Sequence, residues 1–299
     1  MEREMIIESM ERCLVDEGYK VSSGSGCFDL LARKNVSIAL KVLMNVDSFT
    51  LSEADDLKAL SFFLDTFPFL VGGKANRYEL EESVIYERFG VAAMSPQTFT
   101  KFVNGVMPAV KSRRGGFTVR VNAKKLKSGM DEMEISLGEL SSISGLSLKT
   151  LYKCGKGGII DRGTCKVIER AMGVKINSDI NIERAYGAVN KEPRSSFKKI
   201  LSSHLERMGF MFSFLSRSPF NLVIKERGAL VSLVSRDKKR LVAHADVLQE
   251  LESEFDLRPL FITACGDVKN MRGIPVISLR EVKGMDTCKE FMDHVAERR

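Results

Sequence analysis

Laid on each other at Phe28 and Phe220, the stretches "FDLLARKNVSIALKV" and "FNLVIKERGALVSLV" run side by side without a gap. The register sets Asp29 on Asn221, Arg33 on Lys225 and Val42 on Val234. Identities are few, but the surrounding order repeats. A helical stretch precedes each ("IIESMERCLVDEGY", "FKKILSSHLERMGF") and another follows ("EADDLKALSFFLDTF", "HADVLQELESEFD"). A short apolar strand ("FLVGG", "PLFITACG"), a further strand and a terminal helix close both flanks. Period-two alternation marks the hairpins and 3.6-residue periodicity marks the helices, so each flank reads as a small α/β unit with helices packed on its sheet.

The prolines map what lies between. Pro68, Pro96 and Pro108 fall early, Pro193, Pro219, Pro259 and Pro275 late, and none in the middle. Proline interrupts helices, so the proline-free centre reads as helical. The expected architecture is therefore multidomain α+β: an all-α domain at 111–176 between two related small α/β domains at 1–110 and 196–299, with a polar linker at 177–195. Apolar residues make up 44% of the 299, enough for ordinary cores.

Several chemistries have no support. The six cysteines lack a C-x-x-C pair, so free thiols in a reducing cytoplasm are expected, with no metal and no cofactor. The start "MEREMIIESMERC" is charged, and "LSFFLDTFPFLVGG" is short and interrupted by Asp65 and Pro68, so no membrane association is expected. His204, His244 and His294 lie far apart and suggest no triad. "VGGKA" and "CGKGG" lack the nucleotide-loop spacing. Phe62, Phe63, Phe67 and Phe69 read as core.

Charge is concentrated. The net +7 sits entirely within Lys111–Lys175, which holds 14 basic and 6 acidic residues, leaving 32 against 33 elsewhere. "KSRRGGFTVRVNAKKLK" carries seven basic residues and no acid, which suits a polyanion. Directly after it comes "SLGELSSISGLSLKTLYKCGKG". Helical periodicity there puts Leu137, Leu140, Ile143, Leu146 and Leu151 on an inner face. Ser136 with Glu139 makes a capping box, Gly145 turns the chain, and Ser147 caps a second helix. That helix exposes Leu148, Lys149, Tyr152 and Lys153.

On Leu140, Ser141, Gly145, Ser147, Leu151 and Gly157 the stretch resembles the helix-turn-helix of the Cro and phage-repressor class, the XRE-like family. Leu137 and Gly155 depart from that class, which often has a polar amide and an acid at these places. Together with "RRGGFTVRVNAKKL" the motif is similar to archaeal HTH-type transcriptional regulatory proteins, a resemblance covering the whole chain. It implies a non-enzymatic, sequence-specific regulator that binds double-stranded DNA, with residues 147–155 in the major groove. Leu148, Lys149 and Lys153 would face bases, Ser147 and Lys156 phosphate, and Arg113, Arg114, Arg120, Lys124, Lys125 and Lys127 would clamp the backbone. A homodimer is expected, since one helix pair reads few base pairs and phage-repressor relatives pair.

"FDLLARKNVSIALKV" also resembles restriction-endonuclease-like folds, which hold magnesium with two carboxylates beside a lysine. Asp29 and Lys41 fit; the second carboxylate position is Ala39, and the last flank offers Asn221, Val231 and Leu233. Both flanks therefore read as degenerate scaffolds. A metal-dependent nuclease, with Glu8 or Glu11 as an added ligand, is the rival reading. An interaction scaffold within the basal transcription machinery is the other.

Overall fold

The computed structural model describes residues 2–299 except 181, 183–192, 194, 226, 227, 265 and 267. Most of the expected linker, 177–195, and Cys265 thus lie outside the described residues.

The first repeat opens with α1 (Arg3–Asp16), whose Ile6, Met10 and Leu14 fall four apart and are buried on one face. Strands β1 (Lys20–Ser23), β2 (Leu30–Arg33) and β3 (Ile38–Asn45) follow as an antiparallel meander. Helix α2 (Leu51–Leu64) starts at a Thr50/Glu53 capping box and stops at Asp65, which turns left-handed with φ 55°. After it, β4 (Phe67–Ala75) joins β3 in parallel. The short β5 (Tyr78–Glu79) pairs with β4, β6 (Val84–Arg88) pairs antiparallel with β7 (Val91–Met94), β7 lies parallel to β4, and α3 (Pro96–Val103) closes the unit.

The middle of the chain holds β8 (Val110–Arg113), β9 (Gly116–Arg120), α4 (Ala123–Glu132), α5 (Leu137–Ser144), α6 (Leu148–Gly155), β10 (Ile159–Asp161) and α7 (Arg162–Met172). An all-α centre is therefore overturned. Strand β8 lies parallel to β6, and β9 and β10 continue outward, so the first sheet runs β1-β2-β3-β4-β7-β6-β8-β9-β10 and, with β5, has ten strands among the described residues. The protein is mixed α/β, and the helices of the centre stand on the end of a sheet. The physical reason lies in "RRGGFTVRV". Lack of proline permits a strand as well as a helix, and the period-two run Phe117, Val119, Val121 specifies one. Gly115 and Gly116, with φ 98° and 141°, adopt backbone that side-chain-bearing residues avoid and so form the hairpin tip.

The second repeat comprises α8 (Ser196–Arg207), β11 (Met211–Phe214), β12 (Leu222–Lys225), β13 (Ala229–Ser235), α9 (Lys238–Ala243), α10 (Ala245–Phe255), β14 (Arg258–Thr263), β15 (Asn270–Met271), β16 (Ile274–Ser278), α11 (Leu279–Lys283) and α12 (Cys288–Ala296). Its sheet order, β11-β12-β13-β14-β16-β15, repeats β1-β2-β3-β4-β7-β6 with the same parallel or antiparallel sense at every pairing. The match extends to single bonds. Asp29 N donates to Leu40 O at 2.7 Å and Asn221 N to Ser232 O at 3.0 Å. Val42 N donates to an Asp29 carboxylate oxygen at 2.7 Å, and Val234 N to Asn221 Oδ1 at 2.8 Å.

Alternation along β2 sends Leu30 and Ala32 to one face, against α1 and α3, and Leu31 to the other. That second face does not end with its own repeat. It merges with the matching face of the second sheet into one core that contains Phe28, Leu60 and Phe63 together with Phe220, Val223, Leu248 and Phe255. Phe28 and Phe220, the frame of the sequence repeat, meet with ring centroids 6.2 Å apart. The contacts are reciprocal: α2 packs on β12, and α10 packs on β1. Arg33 donates to Phe255 O at 2.5 Å, while Lys225, its repeat counterpart, lies 4.7 Å over the Phe62 ring. At the seam Cys27 N donates to Arg217 O at 2.6 Å, and any side chain at Gly26 would come within 2.5 Å of the Arg217 backbone. The two flanks thus pair inside one chain.

Candidate nucleic-acid interface

The central helices have their own core, in which Leu126 of α4, Leu140 of α5, Leu151 and Cys154 of α6, and Cys165, Ile168 and Met172 of α7 pack on Val119 and Val121. Burial, then the neighbouring Glu169, pushes the Cys165 thiol up to about 12, so it packs as an inert apolar group. Gly129 permits a close approach of α4 to α7, since a Cβ there would sit 2.6 Å from Met172 Cε.

Helix α5 begins at Ser136, whose Oγ accepts from Glu139 N at 3.2 Å while the Glu139 carboxylate accepts from Ser136 N at 2.8 Å. Those bonds from Ser136 hold the exposed Glu139 carboxyl below its usual range. The helix ends at Gly145, left-handed with φ 70°. Two residues later Ser147 caps α6, its Oγ accepting from Thr150 N at 3.2 Å. Ser141 Oγ donates to Leu146 O at 2.6 Å across the turn, fixing the angle at which α6 leaves.

Buried Leu151 and Cys154 set the inner side of α6, which aims the opposite side at solvent. Ser147, Leu148, Lys149, Tyr152, Lys153 and Lys156 are all exposed there, with Leu148 at 47% and Tyr152 at 60%. Arg120, at the end of β9, reaches Gly157 O at 3.5 Å and so borders the end of α6. Lys124, Lys125 and Lys127 are exposed on α4, which packs against α6. Arg113 and Arg114 lie at the β8–β9 hairpin tip, beside the start of α7. The basic residues picked out in the sequence are therefore gathered on the central segment. One expectation of burial fails: Ile143 is 57% exposed, because an eight-residue helix resting on two neighbours buries only a narrow stripe. Leu137 is half-buried and Leu140 fully buried.

The Asp29 region has a different character. Asp29 and Lys41 are both buried, 3.3 Å apart, and Lys41 Nζ also donates to Gly26 O at 2.5 Å. Arg3, at the start of α1, completes the cluster by donating to the same Asp29 oxygen at 2.5 Å, while the other oxygen accepts from Val42 N at 2.7 Å. Both carboxylate oxygens are thus occupied, and two cations already outweigh the single negative charge. A magnesium ion needs more oxygen ligands and tolerates no guanidinium in its first shell. Glu8 is exposed and Glu11 half-buried on α1, and no group of three metal-ligating side chains forms among the described residues. The residues present do not fit a catalytic metal. At the equivalent place in the second repeat, Asn221 spends its amide on Val234, accepting at 2.8 Å and donating at 3.0 Å. Sequence patterning missed Arg3, since no motif links the first turn of a helix to a strand residue 26 positions on.

Residues 3–108 match the PD-(D/E)XK superfamily domain. Over its full length the chain is similar to proteins described as "Putative HTH-type transcriptional regulatory protein". It is 31% identical to that of Thermococcus kodakarensis, with 98% of this chain and 96% of the relative covered. It is 28% identical to that of Pyrococcus abyssi (99% of each chain) and 29% to that of Methanothermobacter thermautotrophicus (100% of this chain, 98% of the relative). No solved structure matches. No helix among the described residues is long and apolar enough to cross a membrane.

Proposed function

The chain belongs to the family of archaeal HTH-type transcriptional regulatory proteins, and from that premise we propose that it regulates transcription by binding double-stranded DNA through the exposed face of α6. The observation that carries the reading is that face itself. A helix capped by Ser147 projects Leu148, Lys149 and Lys153 from a buried base of Leu151 and Cys154. Lysine ammonium groups in a major groove donate to guanine N7 and O6, and Leu148 suits a thymine methyl group. Ser147 and Lys156 at the two ends of α6 fit phosphates, with Arg120, Lys124, Lys125 and Lys127 alongside and the Arg113–Arg114 tip as an outlying clamp. The backbone contacts supply affinity; the α6 face supplies choice of sequence.

The test is selection of preferred duplexes from a random pool, followed by titration of the wild type and of Lys149→Ala and Lys153→Ala. Each substitution is expected to cost about 1 to 3 kcal/mol on the preferred site and to relax the sequence at one or two positions. Equal affinity for all duplexes, or unchanged affinity in both variants, removes the proposal.

The superfamily match makes a nuclease the second reading, and the chemistry opposes it. A lysine that activates water must be free to do so, and an acidic pair must be left to hold the metal. Here Lys41 is bonded to Gly26 O and Asp29, and Arg3 stands where a metal would bind the carboxylate. Plasmid DNA incubated with the protein and magnesium is expected to remain intact.

A further inference from the structure

An open cleft of about 1140 Å³ lies on the seam between the repeats, away from α6, between the start of α2 and the elements α8, β11, β13 and α9. It is the place where the second repeat has Asn221 instead of an acid, and its walls are basic. Lys198, Arg236 and Arg240 all line it, and among the described residues none of the three has an ion-pair partner. The acids nearby are already engaged. Asp55 lies 3.3 Å from Lys58, Glu53 lies 3.4 Å from Arg217, and buried Asp56 accepts from Ser216 N at 3.1 Å.

Two of the cations are held over aromatic rings. Lys198 Nζ stands 5.2 Å over Phe214, and the Arg236 guanidinium 5.6 Å over Phe197. Such stacking fixes their position without neutralising them. Burial, then the nearby charge of Arg240, lowers the Lys198 ammonium pKa, with Asp56 acting in the opposite sense. Like charges lining one cleft raise the free energy of the empty site, and a bound anion relieves it. A phosphate group offers a forked guanidinium two acceptor oxygens at once. The volume is larger than one phosphate fills, and its lining includes the apolar Leu215 and Val234. Ligand sites of roughly 300 to 1,000 Å³ take drug-sized molecules with a few placed polar groups.

We infer that this cleft binds a small organic phosphate of nucleotide size, its phosphates held by Lys198, Arg236 and Arg240 and its organic part against the apolar lining. The site is independent of α6 and does not require the DNA-binding reading to hold.

Calorimetric titration of the full chain with ATP, inorganic pyrophosphate, adenosine and a short duplex tests it. ATP is expected to bind, pyrophosphate to bind more weakly, and adenosine not to bind. The double variant Arg236→Ala/Arg240→Ala changes two exposed residues and should keep the fold while weakening ATP at least tenfold; Lys198→Met should do the same. The duplex is expected not to displace ATP. Absence of binding by both phosphate probes, or full ATP affinity in the double variant, overturns the inference. So does displacement of ATP by the duplex together with a matching loss of DNA affinity in the double variant, which would assign the cleft to the nucleic-acid backbone instead.

Discussion

At the scale of single residues the most informative position is Asp29. As a catalytic acid it would be dispensable for folding; as the counter-charge of Lys41 and Arg3 it is structural. Removing one partner of a buried ion pair leaves an uncompensated charge. Asp29→Ala is therefore expected to destabilise the protein by about 3 kcal/mol in chemical denaturation without altering DNA affinity. Asp29→Asn keeps an acceptor for Val42 N, as Asn221 does for Val234 N, and should lose less. Glu281 makes a second residue-scale case. Burial by itself would raise its carboxyl, but Arg298 and the Ser278 cap pull it down to about 2. A depressed carboxylate contributes stability that is complete above the ordinary carboxylate range and fades as pH falls through about 2. Thermal melts of Glu281→Gln against wild type should therefore differ near neutral pH and converge in strong acid. The Asp29–Lys41 spacing was readable in the sequence; Arg3 was not, because its contact joins a helix to a strand residue 26 positions on, which no local pattern encodes.

At the scale of elements, the proposed reading gives the β8–β9 hairpin and α6 separate parts. The hairpin tip carries Arg113 and Arg114, both exposed, next to the positive-φ Gly115 and Gly116. Arg113→Ala/Arg114→Ala is expected to weaken every duplex alike and to reduce the slope of log affinity against log salt by about 1 to 2. A change of sequence preference in that variant would move the hairpin from clamp to reader. The caps of α5 and α6 were legible from Ser136, Glu139, Gly145 and Ser147, since capping is local chemistry. The exposure of Ile143 was not, because it depends on how much of a short helix its neighbours cover.

For the whole molecule, the pairing of the two repeats has a consequence for assembly. The apolar faces that would make such units dimerise are already joined through Phe28, Phe220 and their shared core. One chain then presents two scaffolds but a single α6. That shared face is already used within one chain, so sedimentation equilibrium is expected to give a monomer, and a footprint to cover one asymmetric site. A palindromic footprint with a sedimenting dimer would require a further interface.

The sequence by itself determined the repeat, its register, the helix caps and the location of the positive charge. These are carried by periodicity, by side chains a few residues apart, and by charge counts, all of which survive without knowledge of the fold. The tertiary structure alone decided that the strands of the centre extend the first sheet, that the repeats pair in cis, and that Arg3 closes the Asp29 site. Each of those depends on contacts between segments far apart in the chain, where burial and strand pairing outweigh any local preference.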